Sequence, residues 1–288
     1  MLVLARELPA ETYSNAAGAM WGPCLADHER VPEWSRETLA VLKNLAEEPG
    51  TGVALLDGLE ASRDDEEPPD WLTEIGYAEC PPKELPDGFV RGWRYTAPVA
   101  DMPVYLDYLG RRLRRTGGRI ARAAVTSLEA AAPASAVVVN CAGLGARELA
   151  GDADVVPVRG QLVVVENPGI DMFFGEYSRG TNEPTYFIPH GAHVVLGSTL
   201  EPGRADTDDD AAAAAAIVRR CAAVAPALHN APIVTHRVGI RPSRSQVRVE
   251  RERLRSRHVI HNYGHGGSGF SLSWGCAREV VELVLATR

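Results

Sequence analysis

The order of segments predicts a mixed chain of the α/β or α+β class. Strand-like and helix-like stretches alternate, and the apolar run Ala136–Asn140 in "SAVVVNCAGLGA" passes directly into a glycine turn. Near the end, "RHVIHNYGHGG" is a strand entering a second glycine turn, and "GCAREVVELVLATR" closes the chain as a helix.

The elements follow in order. Leu2–Ala5 is a short apolar strand, an abrupt beginning for a domain. Ser35 caps a helix through "RETLAVLKNLAEEPG", which sets Leu39, Leu42 and Leu45 on one face and ends near Gly50. Residues 61–71, "ASRDDEEPPDW", read as an acidic surface loop bearing prolines. "MPVYLDYLGRRLRRTGG" is a second helix, with Met102, Leu106, Leu109 and Leu113 facing inward and Gly117 marking its stop. "VVPVRGQLVVVE" and "HVVLGSTL" are strands of a more open sheet. In "DTDDDAAAAAAIVRRCAAVAPAL" the alanine run is helix, not low complexity. Ile217, Val218 and Cys221 recur at helical spacing, and an acidic first turn suits the helix dipole. No internal repeat is present.

Bulk properties narrow the function. The 288 residues are 45% hydrophobic and 24% charged, enough for one large domain or two joined ones with a substantial core. A formal net charge of −8, with arginines scattered among acids, gives no attraction to nucleic acid. Cys24, Cys80, Cys141, Cys221 and Cys276 form no CxxC pair and leave one over, which signals neither a disulfide framework nor a metal site and fits a reducing cytoplasm. No apolar run has the ~18–20 residues of a membrane helix, and the start lacks a secretory pattern.

The stretch His261–Ala277, "HNYGHGGSGFSLSWGCA", concentrates glycine beside the last helix. A strand ending at Asn262, a loop freed of Cβ atoms at Gly264, Gly266, Gly267 and Gly269, and a helix from about Ser271 would expose backbone N–H groups to a ligand. A tight strand-to-helix turn needing positive φ explains the same glycines. On the residues alone both explanations stand.

Val259–Ala277, "VIHNYGHGGSGFSLSWGCA", resembles the C-terminal signature of the D-amino-acid oxidase family of flavoproteins. The resemblance extends through "VVNCAGLGA", "VRGQLVVVE", "TYFIP", "HVVLGSTLEPG" and "RVGIRPSRSQVRVERE", and more loosely to "TYSNAAGAMWGP", so it covers almost the whole chain in the family's order. It implies a discontinuous, Rossmann-like FAD domain (1–60, 120–155 and 240–288) and a substrate domain with a mixed or antiparallel sheet (61–119 and 156–239). Arg241 in "GIRPSR" matches the arginine that binds the substrate carboxylate, a role suited to a planar guanidinium with two parallel donors. Tyr186 matches a tyrosine that meets the same carboxylate, and Gly267 a glycine whose carbonyl accepts from the substrate amine. Gly266, Gly267, Ser268, Gly269, Phe270 and Ser271 match positions along the flavin. Further cofactor contacts are implied at Arg6, Glu7, Thr12, Tyr13, Ser14, Met20, Gly22, Cys141, Ala142 and Gly143.

The implied reaction converts a neutral D-amino acid, oxygen and water to a 2-oxo acid, ammonia and hydrogen peroxide. Hydride passes from Cα to the flavin with no side-chain acid or base, which leaves His261, His265 and Arg244 structural roles. No metal is implied, and a homodimer is compatible with the resemblance. D-aspartate oxidase is an alternative and needs a further cation, for which Arg179 is the candidate; glycine oxidase is more remote. A flavin-free protein that keeps the D-amino-acid pocket is an alternative of another class. The chain departs from the family pattern twice. Asn182 stands where a lid tyrosine is expected, and no G-x-G-x-x-G turn precedes Leu2. Leu2–Ala5 matches the family's second strand, so the first βα unit is expected upstream of Met1 and the chain as it stands is expected to hold FAD poorly.

Overall fold

The computed structural model describes residues 1–131, 137–177, 183–255 and 257–287. Its strands are β1 (Leu2–Ala5), β2 (Val53–Ser62), β3 (Ala78–Glu79), β4 (Arg91–Ala100), β5 (Arg119–Arg122), β6 (Val137–Asn140) and β7 (Val156–Glu166). They continue as β8 (Phe173–Glu176), β9 (Tyr186–His190), β10 (His193–Gly197), β11 (Glu201–Pro202), β12 (Ile233–Leu254) and β13 (Arg257–His265). The α-helices are α1 (Val31–Ala46), α2 (Leu72–Ile75), α3 (Met102–Arg115), α4 (Ala146–Leu149), α5 (Ala211–Val224) and α6 (Gly269–Leu285). The class is mixed α/β, as the sequence predicts.

Two sheets form. β1 pairs in parallel with β5 alone, whereas the other strands make one mixed sheet in the order β3-β4-β2-β8-β9-β10-β7-β12-β13-β6, with β11 on the side of β7. Within the large sheet β2/β8 and β13/β6 are parallel and the remaining pairs antiparallel. Burial on both faces explains the unbroken apolar run of β7. Val163 and Val165 pack with Ile217 and Cys221 of α5 on one face, and Leu162 and Val164 with Val195 and Tyr186 on the other.

The helix predictions hold in phase and shift at the ends. Leu39, Leu42 and Leu45 are buried together, but α1 begins at Val31 and ends at Ala46, so Ser35 is not its cap. Pro32 takes a first-turn position where its missing N–H costs nothing, and the buried Ser35 hydroxyl bonds back to the Pro32 carbonyl at 3.1 Å. The acids before α5 precede its first turn. Asp210 caps the helix by accepting from the N–H groups of Ala212 (2.8 Å) and Ala213 (3.0 Å). β13 runs three residues past Asn262 to His265, and α6 starts at Gly269. Ala136 lies outside the described residues.

α1 and α6 cross closely enough to exclude a side chain. A Cβ on Gly275 would lie 2.3 Å from the backbone Cα and O of Trp34, and the Thr38 hydroxyl accepts from the Gly275 N–H at 3.0 Å. This contact fixes α6, and therefore the glycine turn at its start, against the rest of the protein. Gly275→Ala is expected to cost about 1–3 kcal/mol, because a backbone obstacle cannot rotate aside. Chemical denaturation measures that cost, and an unchanged midpoint would show that the helices can separate freely.

Candidate active site

Arg241 lies on β12 just before the strand bends. There β12 changes partners: residues 233–243 pair with β7, and residues from Arg248 to Leu254 pair with β13 across an irregular register. The half-buried guanidinium makes only long hydrogen bonds, to the carbonyls of Arg159 (3.4 Å) and Thr199 (3.3 Å) and to the Ser198 hydroxyl (3.4 Å). Three nearby arginines are charge-compensated: Arg159 pairs with Glu201 at 2.7 Å, Arg244 with Asp152 at 3.0 Å and Arg248 with Glu252 at 3.1 Å, whereas Arg237, four residues earlier on β12, shares with Arg241 the lack of a carboxylate within 4.0 Å among the described residues. Among the described residues no carboxylate lies within 4.0 Å of Arg241. It is a partly desolvated cation lacking a counter-ion, and an incoming carboxylate would complete it.

Tyr186 meets it from β9. Its phenol is raised by burial against the opposing pull of the Arg241 guanidinium, so it is a neutral O–H donor near pH 7. Ser198 lies beside both side chains and its hydroxyl accepts from Arg241. Gly18 borders the Tyr186 hydroxyl, since a Cβ there would lie 3.4 Å from it.

Three turns gather beside Arg241. The Gly266 N–H donates to the Pro242 carbonyl at 3.0 Å, and Gly266 holds φ +54°, a conformation in which an L side chain is strained. Gly143 faces Pro242, with its Cβ position 3.7 Å from the ring, and the turn Cys141–Gly143 is anchored where Asn140 Oδ1 accepts from the Ala142 N–H at 3.1 Å. Residues 18–25 complete the group. Met20 bridges to Val99, the Gly22 N–H donates to Ser271 Oγ at 2.9 Å and the Leu25 N–H to Ser268 Oγ at 2.9 Å. Exposed Gly267 faces Leu25, and Phe270 packs edge-on against Tyr105 with ring centroids 5.9 Å apart.

The short segment Tyr13–Ala16 also reaches the site, because a Cβ on Gly239 would lie 3.4 Å from Ala16 Cβ and 3.5 Å from the Tyr13 carbonyl oxygen; Ser14 belongs to the same segment. Thr12 bonds locally to Pro9. Arg6 and Glu7 stand apart on the loop after β1, where they bond one another at 3.1 Å. Arg179 and Asn182 lie outside the described residues. Sequence patterns do not single out Gly160 and Gly197, against which Arg241 and Tyr186 lie. The available signal was a lone glycine inside a strand pattern, which marks close approach of another group.

α6 opens with spare donors. The N–H groups of Gly269, Phe270 and Ser271 have no acceptor among the described residues, and Ser268 supplies no side-chain cap. Such a terminus suits an electron-rich ligand edge. Parallel strand pairs and a glycine turn that opens a helix with free N–H groups are features of nucleotide-cofactor binding folds.

The profile of the FAD dependent oxidoreductase family matches residues 1–283, and the chain belongs to that family. A D-amino-acid oxidase of Rubrobacter xylanophilus is 46% identical over 285 residues, 98% of this chain and 87% of the relative. A D-amino-acid oxidase of Streptomyces coelicolor is 42% identical over 284 residues, 96% and 87% of the two chains. Human D-aspartate oxidase is 36% identical over 298 residues, 98% and 86%. The crystal structure of glycine oxidase from Bacillus cereus superposes with a TM-score of 0.83 at 17% identity, covering 100% of this chain and 88% of the other. The α6 terminus and the turns at 141–143 and 264–267 fit a flavin cofactor, and no helix among the described residues is long and apolar enough to cross a membrane.

The two histidines of the glycine stretch are held neutral. Burial brings His265 down to about 4, and burial together with Arg248 lowers His261, which sits between Asn140 at 3.3 Å and Glu252 at 3.0 Å. An unfolded imidazole binds a proton near pH 6.5, whereas the folded His265 does so only near 4. The unfolded state therefore holds more protons in that window, and stability falls as pH drops from about 6.5 towards 4. Melting temperature should fall across this range in the parent and less steeply in His265→Asn; equal slopes would refute the assignment.

Proposed function

We propose that the chain oxidatively deaminates neutral D-amino acids with oxygen and water, giving 2-oxo acids, ammonia and hydrogen peroxide. The observation that carries this is Arg241, a half-buried guanidinium without a carboxylate partner among the described residues, beside the neutral phenol of Tyr186. The names of the Rubrobacter and Streptomyces relatives support the substrate class.

FAD, when bound, supplies the hydride acceptor and hands the electrons to oxygen. Arg241 grips the substrate carboxylate through two parallel N–H donors, and Tyr186 adds a third from its hydroxyl. The Gly267 carbonyl accepts from the amine, so that Cα is presented in one orientation. No side-chain base takes part, in keeping with the basicity that burial takes from His261 and His265. The first turn of α6 (Gly269, Phe270 and Ser271), Gly266, Ser268, Met20, Gly22 and the turn Cys141–Gly143 line the cofactor. Tyr13 and Ser14 flank it, and Arg6, Glu7 and Thr12 belong to its more distant, nucleotide-facing side. The FAD unit comprises 1–60, 120–155 and 240–288 and the substrate unit 61–119 and 156–239. Five free cysteines suit a cytoplasmic enzyme, and a homodimer is its compatible assembly.

The neutral substrate class follows the bacterial relatives named D-amino-acid oxidase. The human relative keeps D-aspartate oxidation as the second reading; preference for D-aspartate over D-alanine would establish it. In the FAD-loaded protein, Arg241→Ala is expected to lower kcat/KM for D-alanine by ~10²–10³ while leaving the flavin absorbance unchanged. Near-normal oxidation by that variant would reject the anchor.

A further inference from the structure

Arg241 and Tyr186 start from strands separated by β7 and β10, yet both reach Ser198. What lets them converge is an absence of side chains beneath them. A Cβ on Gly160 of β7 would lie 2.2 Å from Arg241 Nη1 and 2.6 Å from its Cζ; one on Gly197 of β10 would lie 2.1 Å from Tyr186 Cζ and 2.4 Å from its hydroxyl. Real Cβ atoms do not approach so closely. Neither glycine has the positive φ that would require glycine for backbone reasons, and the three atoms nearest each Cβ all belong to Arg241 or to Tyr186.

We propose that Gly160 and Gly197 are positioning residues for substrate recognition: a bare floor in the sheet that lets the arginine and the tyrosine lie flat and present their polar ends to one carboxylate. The proposal rests on Arg241 being the carboxylate anchor. A methyl group at Gly160 lifts the guanidinium from the Ser198 hydroxyl and the Thr199 carbonyl that orient it, and a methyl at Gly197 swings the phenol ring away. Both obstructed groups are ends of rotatable side chains, so the sheet accommodates either alanine by moving them.

The test uses the FAD-loaded protein and benzoate as a simple carboxylate probe, titrated by calorimetry. Gly160→Ala is expected to weaken benzoate at least tenfold and raise KM for D-alanine, with a melting temperature close to that of the control Gly92→Ala, whose Cβ meets the end of Leu85 instead. The double variant Gly160→Ala/Arg241→Met should bind no more weakly than Arg241→Met alone, because the floor acts only through that arginine. Gly197→Ala, referred to Tyr186→Phe in the same way, examines the second half of the floor. Unchanged benzoate affinity in Gly160→Ala, alongside a loss in Arg241→Met, would overturn the floor and leave the anchor standing. Unchanged affinity in Arg241→Met would overturn both. Failure of both alanine variants to fold would also overturn the proposal, since the glycines would then serve the backbone.

Discussion

One strand carries the site. β12 is hydrogen-bonded to β7 along its first half and to β13 along its second, so its bend fixes where Arg241, Pro242 and the glycine turn of Gly266 sit relative to one another. Half-buried Asp152 secures that bend by accepting from Arg244 at 3.0 Å and from the Tyr263 hydroxyl at 2.8 Å, while Arg248 bonds the same hydroxyl at 2.6 Å. A carboxylate with several charge-assisted partners is a costly group to leave unpaired, which makes this network a stiff support. The α1–α6 contact at Gly275 adds the second fixed point by holding the helix that follows the turn.

From that support follows an unequal distribution of charge. Arg159 is fully buried and fully paired, and the pairs of Arg244 and Arg248 serve the fold. Arg241 alone among these four is left with weak, neutral partners. Keeping a partly desolvated charge uncompensated lowers stability, and a fold tolerates it where the missing partner is a ligand.

Helix phase and the glycine turns were legible in the sequence because each depends on local spacing. The leucines of α1, the inward Ile217 and Cys221 of α5 and the strand–turn–helix at the C-terminus needed no knowledge of distant partners. β2, β4 and β12 were not legible. β2 carries Asp57 and Glu60 within its run, and Glu60 is buried only because the Tyr95 hydroxyl, brought across from β4, reaches it at 2.7 Å. β12 contains Pro242 and many arginines, a pattern that reads as surface until the flanking acids are placed beside it. Arg241 itself was found through its motif, since no local spacing distinguishes it from the other arginines. Its lack of a counter-ion, and the floor of Gly160 and Gly197, exist only once distant strands are paired.

The most direct measurement replaces the anion and keeps everything else: the steady-state oxidation of D-alanine compared with that of D-alaninamide by the FAD-loaded protein. If Arg241 is completed by the substrate carboxylate, the neutral amide forfeits a charge-assisted pair, and its kcat/KM should be lower by ~10²-fold or more. Equal kcat/KM values for the two substrates would contradict the account, because the uncompensated guanidinium would then have no part in recognition.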